Sequence, residues 1–219
     1  MVIPEYNFPD PETSDEDGLL AVGGDLSPPC LLQAYSQGIF PWFNPEDPIL
    51  WWSPNPRLIL IPKDFKVSRS LKKSLKQGFK ISWDTAFEQV IHACATYEGR
   101  TNKTWITEEM IQAYTELHHL GYAHSLEVWQ EDKLVGGLYG ISLGAAFFGE
   151  SMFHIVTDAS KIALFYLCKD LEQRNFDFID CQLPTPHLLS LGAKIIARKE
   201  FLSLLKTALK QPTRQGKWI

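Results

Sequence analysis

The sequence predicts an α+β fold, a mixed β-sheet flanked by helices and preceded by a small N-terminal domain. Three observations carry that reading. Residues 134–182 read as strand, turn, strand, helix, strand. From Leu58 onward the order is strand, helix, strand, helix, helix, three consecutive strands, helix, strand, helix, strand, helix, which a mixed sheet with helices on both faces accommodates. Residues 1–57 break this rhythm: they are rich in proline and tryptophan and hold no Lys or Arg before Arg57. The chain of 219 residues therefore divides at 1–57 and 58–219, one core domain with a small appendage.

Residues 1–17, acidic and proline-rich with scattered Tyr6 and Phe8, predict an extended arm. Residues 18–25 read as a short strand closed by Gly23-Gly24. The glycines make a turn and not a phosphate loop, because no G-x-x-x-x-G-K follows and Asp25 would repel phosphate. Ser27-Pro28 opens a helix that Gly38 stops. Residues 39–57 hold Phe40-Pro41-Trp42-Phe43 and Trp51-Trp52-Ser53-Pro54-Asn55-Pro56, and their prolines exclude a regular element. The rigid loop that results carries Trp42, Trp51 and Trp52, either as a stacking platform for a base or peptide or as packing for the N-terminal domain. At least one of the three is expected to pack.

Residues 58–61 predict a strand, Ser68 caps a basic helix to about Gln77, and residues 79–83 a second strand. Thr85-Ala86-Phe87-Glu88 has the form of a capping box and opens a helix to Ala95. A polar loop leads to Trp105. Thr107 caps the next helix, with Glu108 and Glu109 favoured by the dipole of its first turn and Gly121 at its end. Residues 123–130 form a strand, and Glu131-Asp132 turns into the central stretch. There, residues 134–141 and 145–153 are apolar strands joined by Ser142-Leu143-Gly144. Asp158 stands where its carboxylate can take a free N–H of a helix over 159–174, apolar nearly all round and so buried. Residues 176–182 predict another strand. Thr185-Pro186 starts a short helix that Gly192 stops. A strand over 194–196 and a basic helix over 199–210 complete the series.

Two polar spots interrupt the apolar framework. Glu150 sits within Phe147-Phe148-Gly149-Glu150-Ser151-Met152-Phe153, and Asp180 and Gln182 end Phe178-Ile179-Asp180-Cys181-Gln182. A buried carboxylate costs several kcal/mol, about, unless it is paired or hydrogen-bonded. Strand alternation places 180 and 182 on one face with Cys181 opposite, so an acid and an amide are neighbours there. The competing reading makes them strand-end groups that satisfy loop backbone.

Charge is segregated behind a net value of −5. Residues 57–80 carry eight basic side chains (Arg57, Lys63, Lys66, Arg69, Lys72, Lys73, Lys76 and Lys80) against Asp64 alone, and residues 194–219 carry seven against Glu200. Two basic islands in an acidic protein point to a local polyanion contact, or to two solvated helix faces. No run approaches the roughly 18 apolar residues of a membrane span. The acidic N-terminus lacks the positive start of a secretory signal. Cys30, Cys94, Cys168 and Cys181 are scattered, which suits a cytoplasmic protein and offers no zinc framework.

The antiparallel meander followed by strand, helix and strand resembles the GNAT-type acyltransferase fold. Longer strings resemble the bacterial leucyl/phenylalanyl-tRNA–protein transferases: Gly18-Leu-Leu-Ala-Val-Gly-Gly-Asp-Leu-Ser27, Tyr35 with Gly38-Ile-Phe-Pro-Trp-Phe43, Pro48-Ile-Leu-Trp-Trp-Ser-Pro-Asn-Pro-Arg57, Thr104-Trp-Ile-Thr107, His124-Ser-Leu-Glu-Val-Trp129, Gly149-Glu-Ser-Met-Phe153, Ala159-Ser-Lys161 and Ile179-Asp-Cys-Gln182. The resemblance implies an enzyme that moves leucine or phenylalanine from tRNA to proteins beginning with Arg or Lys, marking them for N-end-rule degradation. It also implies a GNAT-like catalytic domain and no metal or organic cofactor; separately, a monomer that needs no membrane is expected. By the family pattern, Trp42 and Trp105 stand near the terminal adenosine. Phe147, Met152, Leu164 and Ile179 match the pocket for the leucyl or phenylalanyl side chain, and Glu150, Asp180 and Gln182 the polar centre. His154, Asp158, Leu138 and Ala197 depart from the pattern and touch pocket shape and loop geometry.

Ester aminolysis is downhill and needs proximity and a proton acceptor. A hydrogen bond from Gln182 to Asp180 would polarise the amide, one mechanism proposed for the family; direct use of Asp180 or of a ribose hydroxyl stays open. Cys181 should point away from both, which argues against a thiol nucleophile. The basic residues Lys63, Lys66, Arg69, Lys72, Lys73 and Lys76 are expected to hold the tRNA. Two rival classes exist. A CoA-dependent N-acetyltransferase would need a glycine-rich loop at 154–158, which is absent. A non-enzymatic reader of peptide N-termini would not need the basic islands.

Overall fold

A computed structural model describes residues 6–96 and 104–218. The N-terminal segment forms β1 (Leu19–Val22), α1 (Pro28–Ser36), β2 (Phe40–Pro41) and β3 (Leu50–Trp52). Its strands make an antiparallel sheet in the order β1-β3-β2. This corrects the expectation that prolines keep residues 39–57 irregular. Pro41 is tolerated because β2 lies at the sheet edge, where a missing N–H breaks no ladder. Pro28 begins α1, and Gly38 ends that turn at φ +75°, a conformation that glycine adopts without cost. Of the arm expected over residues 1–17, residues 1–5 lie outside the described residues, and a short 3₁₀ turn forms at Pro11–Thr13, capped by Asp10.

The remaining strands are β4 (Arg57–Leu60), β5 (Lys80–Trp83), β6 (Ala123–Gln130), β7 (Lys133–Leu143), β8 (Ala146–His154), β9 (Phe178–Gln182) and β10 (Lys194–Ile196). They form one mixed sheet in the order β10-β4-β9-β8-β7-β6-β5. All pairs are antiparallel except β8 with β9. The helices are α2 (Arg69–Ser74), α3 (Phe87–Thr96), α4 (Glu108–His119), α5 (Ala159–Gln173), α6 (Pro186–Ser190) and α7 (Arg198–Ala208). The β6-β7-β8 meander, then α5 and the parallel β9, is the GNAT-like arrangement expected from the element order. The polar loop ahead of Trp105 falls on residues 97–103, outside the described residues.

Strand alternation divides the core into two layers. Leu138, Phe147 and Ile179 pack with α5, along with Leu58 and Leu60. Tyr139, Phe148 and Phe178 pack on the other face, with side chains of α3, α4 and α7. Tyr35, Phe40 and Trp51 of the N-terminal segment belong to this second layer, so one apolar core runs through both parts of the chain. Trp51 packs as expected: it is buried and donates from Nε1 to the Gly23 carbonyl at 2.8 Å, and the partly buried Trp52 packs against the same core.

Two caps differ from expectation. Asp158 does precede α5, but at φ +66° its carboxylate turns to Lys161 (2.7 Å) and Ser74 (2.9 Å) instead of the helix N–H groups. Salt bridging to Lys161 outcompetes capping and ties α2 to the start of α5. The Thr85 hydroxyl donates to Glu127 Oε2 at 2.8 Å, so the capping-box geometry gives way to a buried carboxylate on β6. Thr107 and Thr185 cap as expected, accepting from Met110 and Leu188.

Candidate active site

The site opens where two parallel strands part. β8 and β9 pair only at Ala146 with Phe178, Phe147 with Ile179 and Phe148 with Asp180. The next residues, Gly149–Met152 on one strand and Cys181–Leu183 on the other, line a cavity of about 450 Å³. Each strand carries an irregularity there. Opposite β7, Tyr139 faces Ser151 and Gly140 faces Gly149, so Glu150 is the unpaired residue of a bulge. Bulges re-aim a side chain, and this one delivers Glu150 to the cavity. Gly140 makes the bulge possible, since a Cβ there would collide with the Phe148 carbonyl and meet the Phe147 ring at 2.5 Å. Opposite β4, Leu58 faces Gln182 and Ile59 faces Asp180, which leaves Cys181 in a second bulge.

That second bulge corrects the simple alternation expected of 180 and 182. Gln182 adopts φ +62°, and its backbone N–H donates to Asp180 Oδ1 at 2.9 Å. Its side-chain amide does not join Asp180: Nε2 donates to Glu150 Oε1 at 3.1 Å. Asp180 is wholly buried and bound by Arg57 through Nε (2.9 Å) and Nη2 (2.6 Å). Phe40 and Phe201 hold the guanidinium between them, with ring centroids 4.8 and 4.4 Å from Cζ. Arg57 thus leaves the basic island in which its sequence position placed it. Cys181 lines the cavity together with Gln182, contrary to the expectation that it point away. Burial pushes its thiol far above the usual range, so it makes a poor nucleophile.

Glu150 is the carboxylate that faces the cavity. It accepts hydrogen bonds from Tyr35 (2.8 Å), Tyr114 (3.1 Å) and Gln182. The two tyrosine hydroxyls also lie within hydrogen-bonding reach of each other, a contact that competes with Glu150 for one of their two hydrogens. Burial raises the Glu150 carboxyl to about 7; the tyrosine and glutamine bonds oppose the rise, and the nearby Asp180 adds to it. Burial, with Glu150 beside them, pushes both tyrosines well above their ordinary value, so they stay protonated donors.

Trp42, Trp105, Phe147, Met152, Leu164 and Ile179 all line this one cavity with Glu150 and Gln182. Asp180 does not line it. Trp42 is exposed at the rim, its ring centroid 5.6 Å from that of Trp52, which donates to the Trp42 carbonyl. The cavity wall is completed by Phe40 and by His187 and Leu188 of α6. Sequence reasoning gave no role to Tyr35, Tyr114 or Arg57, whose partners lie far along the chain.

Lys63, Lys66, Arg69, Lys72, Lys73 and Lys76 are all exposed. The Lys66 N–H donates to the Leu191 carbonyl at 2.8 Å, which sets this island beside the α6 wall of the cavity. The other basic segment is not a free surface throughout: Arg198 is buried and donates to Ser14 and to the Ser53 carbonyl. Among the described residues no helix is long and apolar enough to cross a membrane.

Residues 59–206 match the family model for leucyl/phenylalanyl-tRNA protein transferase, and residues 24–55 match that for the N-terminal domain of the same transferase. A leucyl/phenylalanyl-tRNA–protein transferase of Legionella pneumophila (strain Corby) is 68% identical over 97% of this chain and 96% of its own. One from Thermodesulfovibrio yellowstonii is 56% identical over 98% and 88%. Among solved structures, an aminoglycoside acetyltransferase from an uncultured soil metagenomic sample is similar at a TM-score of 0.40 and 15% identity, over 53% of this chain and 86% of that one. A likeness of that size carries no argument about activity. The identity across nearly the whole length is what decides: the chain belongs to the leucyl/phenylalanyl-tRNA–protein transferase family and is a transferase enzyme.

Proposed function

We propose that this enzyme moves leucine or phenylalanine from its tRNA to the α-amine of proteins that begin with Arg or Lys, acting as a monomer in the cytoplasm. The observation that carries the proposal is the convergence of an apolar pocket and one polar pair, Glu150 with Gln182, at the parting of β8 and β9. The leucyl or phenylalanyl side chain enters among Phe147, Met152, Leu164 and Ile179. Trp42 and Trp105 stack on the terminal adenosine. The exposed basic residues from Lys63 to Lys76 hold the tRNA backbone.

The reaction forms one C–N bond and breaks the ester C–O bond to the ribose; the proton lost by nitrogen ends on the freed ribose oxygen. Much of the barrier falls when amine and ester are held together. Glu150 provides the negative charge that the acceptor's first side chain requires, since a desolvated cation needs a partner. Gln182, its amide nitrogen committed to Glu150, turns its carbonyl oxygen to the α-amine. Asp180 acts from behind by fixing the Gln182 backbone. The binding of Asp180 by Arg57 argues against Asp180 as the proton acceptor.

The test is transfer of labelled leucine from Leu-tRNA to a protein with N-terminal Arg, abolished by ribonuclease. Transfer of acetyl from acetyl-CoA to the same protein, with no dependence on tRNA, would overturn the proposal. Stabilisation by an Arg-peptide with no turnover would favour a reader of N-termini.

A further inference from the structure

Behind the cavity lies a group that the reaction does not touch. Trp218 is almost fully buried, and its ring lies against four others. It stacks on His124 at 4.0 Å, meets Trp83 at 5.4 Å and Phe176 edge-on at 5.7 Å, and reaches Phe147 at 6.1 Å. Arg174 covers it with Cζ 4.8 Å from the ring centroid. Its backbone N–H donates to Asp84 Oδ2 at 2.7 Å, and its indole N–H to the Arg214 carbonyl at 3.2 Å. Asp84 also binds His124 Nδ1 at 2.9 Å and the Ser125 N–H at 2.9 Å. The carboxylate therefore fixes the tryptophan and the histidine it stacks on.

Phe147 is where this group meets the site. It is fully buried yet lines the cavity. Its ring packs close on Gly140, where a Cβ would come within 2.5 Å of it, and on another side it meets the Trp218 ring. Interiors are packed tightly enough that a lining ring moves only if what supports it moves. Removing the indole would leave a void beside Phe147, and the ring could retreat into it, deepening the cavity.

We infer that Trp218 is a specificity-determining residue: through Phe147 it fixes the depth of the pocket and so the largest donor side chain accepted. The inference rests on the proposed reading of this pocket as the donor side-chain site. Trp218 is a positioning residue, since it touches no reacting atom.

The experiment compares kcat/KM for tRNA carrying tryptophan with that for tRNA carrying leucine, at fixed Arg-peptide. Trp218→Ala should raise the Trp-to-Leu ratio about tenfold, the scale of one or two methylenes of apolar fit, with the KM for the Arg-peptide unchanged. Trp218→Phe should raise it less and in the same direction, and it serves if the Ala variant does not fold. A purely structural role would lower both donors equally, and an unchanged ratio in a folded variant overturns the inference. Phe147→Ala separates the two levels. If it shifts the ratio and the Trp218 variants do not, the inference fails and the pocket reading stands. If Phe147→Ala leaves the ratio unchanged, the pocket reading itself fails and the inference with it.

Discussion

Arg57 grips Asp180 through two hydrogen bonds, 2.9 and 2.6 Å long, with both side chains shut off from solvent. The pair joins β4 to β9 across 123 residues of sequence. Through Asp180 Oδ1 it also holds the Gln182 N–H, so its reach extends to the amide that bonds Glu150.

Breaking such a pair leaves a buried charge alone, at a cost of about 3–5 kcal/mol. Asp180→Asn is expected to lower the urea midpoint accordingly and to lower kcat, with donor binding kept. Arg57→Met combined with Asp180→Leu should regain stability without regaining activity. Recovery of both would leave the pair no part in placing Gln182.

Glu150 gives a pH signature whose sign is fixed. With its carboxyl near 7, it is neutral below that pH and offers an acceptor's cation nothing. The KM for an Arg-peptide should fall as pH rises through about 7 and then level. Tyr35→Phe removes a hydrogen bond that lowers the Glu150 value, so the inflection should move to higher pH. Glu150→Gln should erase it and raise the KM throughout. Steady-state profiles with the acceptor varied give the answer; an inflection that survives in Glu150→Gln belongs to another group.

The basic island is testable by salt. Phosphate contacts release counterions, so log K falls with log salt in proportion to their number. Lys72, Lys73 and Lys76 replaced together by Ala should raise the KM for aminoacyl-tRNA and flatten its salt slope. An unaltered slope would remove these residues from the tRNA surface.

Gly140→Ala probes the bulge. The added methyl meets the Phe148 carbonyl and the Phe147 ring, so something must shift. Overpacking of this kind costs about 1–3 kcal/mol. The expected outcome is a lower thermal midpoint, together with a loss of kcat/KM larger than Ala substitution at an exposed strand position gives.

Much of the scaffold was legible because period-2 alternation and caps are local. The 123–130 and 194–196 strands match their predicted bounds, and Thr107 caps as its position required. The two bulges were not legible, because a bulge is a property of two strands in register and neither Glu150 nor Cys181 announces it alone. The same limit explains the misreading of Asp180 and Gln182 as side-chain neighbours: alternation holds only while pairing is regular. Pro41 misled in the opposite sense, since prolines exclude central strands and not edges. Tyr35 was visible in the sequence as part of a motif, but its bond to Glu150 spans 115 residues.

That bond makes the order of synthesis matter. Tyr35 leaves the ribosome long before Glu150 does, so the N-terminal segment is available when the carboxylate arrives. Without that segment Glu150 would lack the Tyr35 donor, and the shared core would lose Tyr35, Phe40 and Trp51. The short leading segment therefore gives the cavity both part of its wall and a hydrogen bond to its carboxylate.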